Sequence, residues 1–204
     1  MAVKVSVEVD SEMSANAREA LAALAYAASN EQDGYRFYIV VAAHVTDRKG
    51  REMFQGLARD EVEHYHLLAA EYESLRSGKG WLSIDQALAA EVPPLGEFAP
   101  RPSDIAGVAV PAERLFPDPD QVVVHLDAGI GDLAAVESAL AAEKRGYDIY
   151  RKAAAQASDA NAKAAYELLM REESRHFEWL QRSQSYLANN RTYWDDSELP
   201  FFEG

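Results

Sequence analysis

The chain has 204 residues, of which 48% are hydrophobic and 26% charged, and this length suits one well-buried domain or at most two small ones. It contains no cysteine, which excludes disulfide bonds, thiolate metal sites and thiol catalysis. A net charge of −14 argues against nucleic acid or an anionic membrane as a partner. The first thirty residues show no secretory signal and no apolar run reaches ~18 residues, so we expect a cytoplasmic protein without a membrane span.

The N-terminal part of the chain predicts one short strand followed by two helices. Four valines alternate with other residues within segment 2–10, which is the pattern of a strand. Helical spacing of apolar residues then predicts a first helix over about residues 14–45, for which either Ser14 or Ser11 can act as the N-cap. After a short break, a second helix is expected over about 49–77, ending at a Gly-Lys-Gly segment.

The middle of the chain, residues 78–128, predicts a long crossover without regular long helices. Seven of the eight prolines of the chain lie in its part from Pro93 to Pro119. A short helix is predicted near residues 83–91, and a short strand is predicted at residues 121–126. Because a lone strand leaves its backbone unpaired, we expect this strand to pair with the N-terminal one.

The C-terminal part of the chain repeats the helical pattern. A third helix is predicted over about residues 131–158 and a fourth over about 161–189, with a short turn between them. The tail, residues 190–204, contains four aromatic residues, Tyr193, Trp194, Phe201 and Phe202. So many aromatic side chains predict that the tail docks on its own bundle or on a second subunit, and we expect a homodimer.

These elements predict a single all-α domain over residues 1–204. Short links make the helices within each pair antiparallel, and the crossover of about fifty residues lets the second hairpin start from the far end of the first. This is the four-helix bundle with one crossover that is typical of ferritin-like folds, here with a short N-terminal strand added.

An internal repeat at an offset of 112 residues carries the candidate chemistry. Six residues of the first hairpin recur as the same residue types in the second hairpin, while most of the sequence around them differs. In the first hairpin they are Glu31, Gly34, Tyr35, Tyr38, Glu61 and His64; in the second they are Glu143, Gly146, Tyr147, Tyr150, Glu173 and His176. Packing alone does not require glutamate and histidine on an inward face, whereas a site for two metal ions does.

The spacing places the acidic and imidazole side chains where they can bind metal together. Residues i and i+3 share a helix face, so the Glu and His of each Glu-x-x-His motif can reach one point. One Glu on each of two helices and Glu-x-x-His on the other two is the di-metal carboxylate pattern. The predicted ligands are Glu31, Glu61, His64, Glu143, Glu173 and His176. Four carboxylates and two imidazoles without sulfur favour iron, or manganese, over structural zinc.

The repeat also predicts how the ligands divide between two ions. Glu31 and His64 are assigned to one metal, and Glu143 and His176 to the other. The glutamates of the two Glu-x-x-His motifs are predicted to bridge the ions, which in such sites lie ~3.5–4 Å apart.

Tyr38 and Tyr150 are predicted to support this site rather than to bind metal. Each is expected to donate a phenol hydrogen bond to a ligating carboxylate across the bundle. A second register remains open, because Asp60 and Glu172 stand four residues before the histidines and can use i, i+4 spacing instead.

With these residues the chain resembles the ferritin-like superfamily, and within it the rubrerythrin-like group, over roughly residues 14–77 and 129–189. The resemblance implies two iron ions that react with dioxygen or hydrogen peroxide. Rubrerythrins also hold an iron on four cysteines, which this chain lacks, so the resemblance implies an external electron-donor protein. Gly146 stands where rubrerythrins carry an additional glutamate, so the predicted site is closer to a six-ligand ferroxidase than to a rubrerythrin peroxidase.

Two other functional classes remain open from the sequence. One is a non-catalytic protein that stores or delivers iron or manganese. The other is a helical interaction module whose metal site is purely structural. Turnover with peroxide under reducing conditions separates the first from an enzyme, and a large loss of thermal stability on metal removal identifies the second.

Overall fold

The computed structural model describes residues 14–98, 114–118 and 131–190, and these contain five helices and no strand. The helices are α1 (Ala15–His44), α2 (Arg48–Arg76), α3 (Ile84–Leu88), α4 (Gly131–Gln156) and α5 (Ala160–Asn190). Helix α1 packs on α2 and α4 on α5, so the prediction of an all-α ferritin-like bundle of two hairpins is confirmed. The predicted strands at 2–10 and 121–126 and the tail after residue 190 lie outside the described residues.

Short polar side chains fix where the first two helices begin. Of the two candidate serines, Ser14 caps α1, its Oγ accepting a hydrogen bond from the backbone N of Ala17 at 3.2 Å. Asp47 caps α2 by accepting from the backbone N of Lys49 at 2.7 Å and of Gly50 at 3.1 Å. Both caps satisfy backbone donors that the first turn leaves unpaired, and Asp47 thereby fixes the tight link between α1 and α2.

The start of the crossover follows the glycines and prolines of its sequence. Gly78 adopts a φ of +72°, which a side chain disfavours, and so lets the chain leave α2. Helix α3 starts with a capping box between Ser83 and Gln86 but ends at Leu88, earlier than the predicted residue 91. Val92, directly before Pro93, is biased toward extended backbone, which disfavours helix at that position.

Two apolar clusters fill the bundle, one toward each end. One cluster includes Leu21, Leu24, Leu68, Tyr72 and Leu169. The other includes Val41, Phe54, Leu57, Val136 and Leu180. Between them, each of the four long helices contributes buried polar side chains, so a polar layer is enclosed by apolar layers on both sides. Among the described helices, none is both long and apolar enough to cross a membrane.

The described parts of the crossover are fastened to α1 beside this polar layer. Gln32 is buried and its Oε1 accepts a hydrogen bond from the backbone N of Gly96 at 2.8 Å. Asp33 forms a two-pronged ion pair with Arg114, whose Nε lies 2.8 Å from Oδ2. The second contact brings the buried ring of Phe116 over α1, where it closes one side of the polar layer.

Candidate metal centre

All six predicted ligand side chains meet in the polar layer, and none is more than 6% exposed. Their ligand atoms form two overlapping groups, within each of which all atoms lie within 4.8 Å of one another. The first group is Glu31, Glu61, His64 and Glu173, and the second is Glu61, Glu143 and His176. Each helix of the bundle therefore contributes to one buried cluster.

Glu61 lies between the two groups and has one oxygen toward each imidazole. Its Oε2 is 3.4 Å from Nδ1 of His64, and its Oε1 is 3.9 Å from Nδ1 of His176. Each histidine also faces the carboxylate assigned to its own metal: Glu31 lies 3.6 Å from His64, and Glu143 lies 3.5 Å from His176. This arrangement suits a carboxylate that bridges two ions.

Glu173 occupies a less symmetric place than its counterpart Glu61. Its Oε1 lies 3.6 Å from Nδ1 of His64, which puts it in the first group. Its carboxyl group also interacts with that of Glu143 on the neighbouring helix. Glu173 thus touches both halves of the cluster, although it faces only one of the two imidazoles.

Both predicted tyrosine contacts cross the bundle. The hydroxyl of Tyr38 donates a short hydrogen bond to Oε1 of Glu143, and that of Tyr150 donates one to Oε1 of Glu31. Both phenols are buried. The predicted hydrogen bonds are therefore present, and each fixes one oxygen of a glutamate while leaving the other oxygen directed at the cluster.

The polar atoms at the centre fit a pair of cations. Five buried atoms of the cluster have no hydrogen-bond partner among the described residues: Glu61 Oε1, Glu61 Oε2, His64 Nδ1, Glu143 Oε2 and His176 Nδ1. Leaving one such buried group unpaired costs about 1–3 kcal/mol, and more for a charged one. Because all five atoms point toward one another and are potential ligands, divalent metal ions would satisfy them together.

Burial and mutual charge divide the four glutamates into two pairs. Burial and the charge of Glu31 raise the pKa of Glu61 well above its ordinary value, and burial and Glu143 do the same to the pKa of Glu173. Burial alone would also raise the pKa of Glu31 and Glu143. For Glu31, the interactions with Glu61 and His64 outweigh burial and lower the pKa. For Glu143, the charge of His176 outweighs burial and lowers the pKa.

The two imidazoles respond to these carboxylates in the opposite sense. Burial would lower the pKa of His64, but Glu31 outweighs it and the pKa rises. Burial would likewise lower the pKa of His176, and Glu143 raises it. Metal ions bind the deprotonated forms of glutamate and histidine, so the raised pKa values couple metal binding to proton release.

The two repeat glycines make room for the glutamates of the Glu-x-x-His motifs. A Cβ atom on Gly146 would stand 3.0 Å from Oε2 and 3.2 Å from Cδ of Glu173. A Cβ atom on Gly34 would stand 3.2 Å from Cδ of Glu61 and 2.9 Å from the Phe116 ring. Glycine inside a helix costs about 1 kcal/mol relative to alanine, so these positions give up helix stability for space around the carboxylates.

Asp60 has a role that the sequence did not predict. Its Oδ2 accepts a hydrogen bond from Nε2 of His176 at 3.0 Å, on the side of the ring away from the cluster. Asp60 therefore lies behind a histidine of the opposite hairpin. The alternative register, with Asp60 and Glu172 as ligands, is not observed, because neither residue is in the two groups of ligand atoms. Nothing in the local sequence signals this contact, because Asp60 and His176 are 116 residues apart.

A model of a known protein family matches the first hairpin and part of the crossover. A rubrerythrin family model matches residues 16–114, which include Glu31, Glu61 and His64. No curated protein and no solved structure gives a significant match to the chain. The second hairpin supplies the same residue types at the offset of 112 residues and packs them into the same cluster. The described helices therefore form a ferritin-like bundle, and the chain is similar to the rubrerythrin family over residues 16–114.

Proposed function

We propose that this protein is a di-iron carboxylate redox protein that acts on hydrogen peroxide or dioxygen and is re-reduced by an external electron donor. The observation that carries the proposal is the buried cluster of four glutamates and two histidines, in which five polar atoms face one another and lack hydrogen-bond partners in the described part of the chain. A purely structural bundle has no reason to bury that set of groups between two apolar layers.

A pair of bound ferrous ions would supply the two electrons that cleavage of an O–O bond requires. Glu31 and His64 would hold one ion, and Glu143 and His176 the other. Glu61 would bridge them, supported by its two oxygens facing the two imidazoles. Manganese satisfies the same oxygen and nitrogen ligands and is the alternative metal.

The surrounding residues would prepare this site in three ways. Tyr38 and Tyr150 hold the outer oxygens of two ligating glutamates, so that the inner oxygens keep their direction. The apolar clusters on both sides exclude bulk water, which strengthens electrostatic interactions inside. Glycine at position 146 leaves space beside Glu173 and provides no seventh carboxylate, which favours the six-ligand ferroxidase type over a rubrerythrin-like peroxidase.

The external donor belongs to the proposal because these 204 residues contain no cysteine to hold a separate iron centre that could pass electrons to the di-iron site. Under this proposal electrons reach the site from a separate protein or from ferrous ion itself. In the second case the iron is substrate as well as cofactor, and turnover ends with release of ferric ion.

The first experiment is an anaerobic titration of the metal-free chain with ferrous ion, followed by addition of hydrogen peroxide. We expect about two irons per chain and a new near-ultraviolet absorption band on oxidation. Repeated turnover with peroxide and a chemical reductant would support the enzyme, whereas tight binding without turnover would support storage or delivery. Absence of stoichiometric iron or manganese binding would overturn the proposal and favour an interaction module.

Substitutions of the ligands test how the site is divided. Glu61→Ala and Glu173→Ala are each expected to weaken binding of both ions, because each removed carboxylate touches both halves of the cluster. His64→Ala is expected to weaken mainly one ion. Equal and independent losses in all three variants, measured by elemental analysis, would contradict the bridging arrangement.

A further inference from the structure

The repeat that places the ligands is broken behind the two histidines. His176 is fully buried and donates from Nε2 to the Asp60 carboxylate at 3.0 Å. If the repeat held here too, Glu172, the counterpart of Asp60, would lie behind His64 in the same way. Glu172 instead pairs with Arg175 on its own helix. Within the described ranges, no carboxylate contacts Nε2 of His64.

Arg175 accounts for the difference between the two sides. Its guanidinium donates to Asp60 at 3.2 Å, pairs with Glu172, and lies 5.0 Å from the centre of the Trp179 ring. It therefore holds Asp60 in place behind His176 and draws Glu172 to itself. The counterpart of Arg175 in the first hairpin is Glu63, an exposed acidic residue that cannot hold a carboxylate.

From this asymmetry we propose that Asp60 is a positioning residue that makes the two metal positions unequal. The position formed by Glu143 and His176 binds a divalent cation more tightly than the position formed by Glu31 and His64. This inference rests on the proposed di-metal site. It adds an order of filling that neither the ligand set nor the family match contains.

The physical reason lies in what the carboxylate does to the imidazole. By accepting from Nε2–H, Asp60 selects the tautomer whose lone pair is on Nδ1, and Nδ1 of His176 is the atom that faces the cluster. It also fixes the ring orientation and increases the basicity of Nδ1. Loss of such a partner typically weakens metal affinity about 10–100-fold. His64 has the ligand atom in place, but no carboxylate of the described residues accepts from its Nε2.

The test is calorimetric titration of the metal-free full chain with Mn²⁺, which avoids oxidation during the measurement. We expect two binding steps whose dissociation constants differ by about tenfold or more. His64→Ala should remove the weaker step and His176→Ala the tighter one. In Asp60→Ala, the tighter step should weaken about 10–100-fold while the weaker step keeps its constant.

Two further variants separate positioning from a structural role. Asp60→Asn keeps an acceptor of the same size and should restore part of the affinity that Asp60→Ala loses. Glu172→Gln changes the counterpart residue and should leave both steps unaltered. Circular dichroism of each metal-free variant reports whether the bundle still folds.

The outcomes distinguish this inference from the proposed function. Two equal steps in the wild-type protein, or an Asp60→Ala variant in which both steps weaken alike or neither does, would overturn the inference and leave the di-metal site standing. Failure of the wild-type chain to bind Mn²⁺ or ferrous ion would overturn the site and the inference together.

Discussion

Gly146→Ala tests whether the space beside Glu173 is a requirement of the metal site. At an ordinary helix position this change should stabilise the protein by about 1 kcal/mol. Here the new Cβ would stand 3.0 Å from Oε2 of Glu173, so the carboxylate must retreat by a few tenths of an ångström to restore normal contact. Ligand distances in metal sites tolerate only about 0.2 Å.

We therefore expect Gly146→Ala to leave the fold intact and to weaken metal binding. The unfolding free energy of the metal-free protein should change by less than about 1 kcal/mol, because propensity gain and crowding oppose each other. Affinity for the ion pair should fall about tenfold or more, which corresponds to about 1.4 kcal/mol. Urea denaturation measures the first quantity and Mn²⁺ titration the second.

The control is Lys144→Ala, an exposed change two residues earlier on the same helix, which should alter neither quantity appreciably. Gly34→Ala should be the more damaging of the two glycine changes, because its Cβ meets both the Phe116 ring and Glu61. If Gly146→Ala binds two metal ions per chain with wild-type affinity, the site does not need glycine at this position to make room for Glu173, and the reasoning is refuted.

Three further predictions concern protons and hydrogen bonds. Tyr38→Phe removes a donor to a buried carboxylate and should lower the unfolding free energy of the metal-free protein by about 1–3 kcal/mol, measured by urea denaturation. Burial raises the pKa of Glu71 to about 7, above its ordinary value of 4.5, so it loses its proton later in the folded state than in the unfolded state. The contribution of Glu71 to the unfolding free energy should therefore fall by roughly 3 kcal/mol as pH rises between these values. Glu71→Gln should remove that contribution in urea titrations at several pH values, and exposed Glu63→Gln should not. Because the pKa values of Glu61 and Glu173 are raised, metal binding should release protons and should tighten as pH rises. Calorimetry in buffers of different ionisation enthalpy measures the number of protons released, and a value of zero would contradict this prediction.

The four long helices were predictable because their signals are local. Apolar spacing over 26 to 31 residues, a Ser cap and glycine at an end are all read within one segment. The observed helices begin and end within a few residues of the predicted bounds. The prediction for the short helix α3 was the least accurate. Its end depends on how the chain continues toward Pro93 rather than on the spacing of its own apolar residues.

The composition of the cluster was also predictable, but for a different reason. The repeat at 112 residues singled out Glu31, Glu61 and His64 together with their counterparts, and helical spacing placed each Glu-x-x-His pair on one face. No such signal existed for Gln32, which is buried and bound to the backbone of Gly96, 64 residues away. Its neighbours in sequence say nothing about which loop will lie beside it.

The amino-acid sequence by itself determined which helices form and which of their side chains face inward, because both follow from periodicity within single segments. Only the tertiary structure decided that Tyr38 meets Glu143, that Gly146 clears space for Glu173, and that Asp60 stands behind His176 while no described carboxylate stands behind His64. These contacts join different helices. Their existence depends on the register at which the packed helices come to rest, and that register is set by the whole core rather than by any one segment.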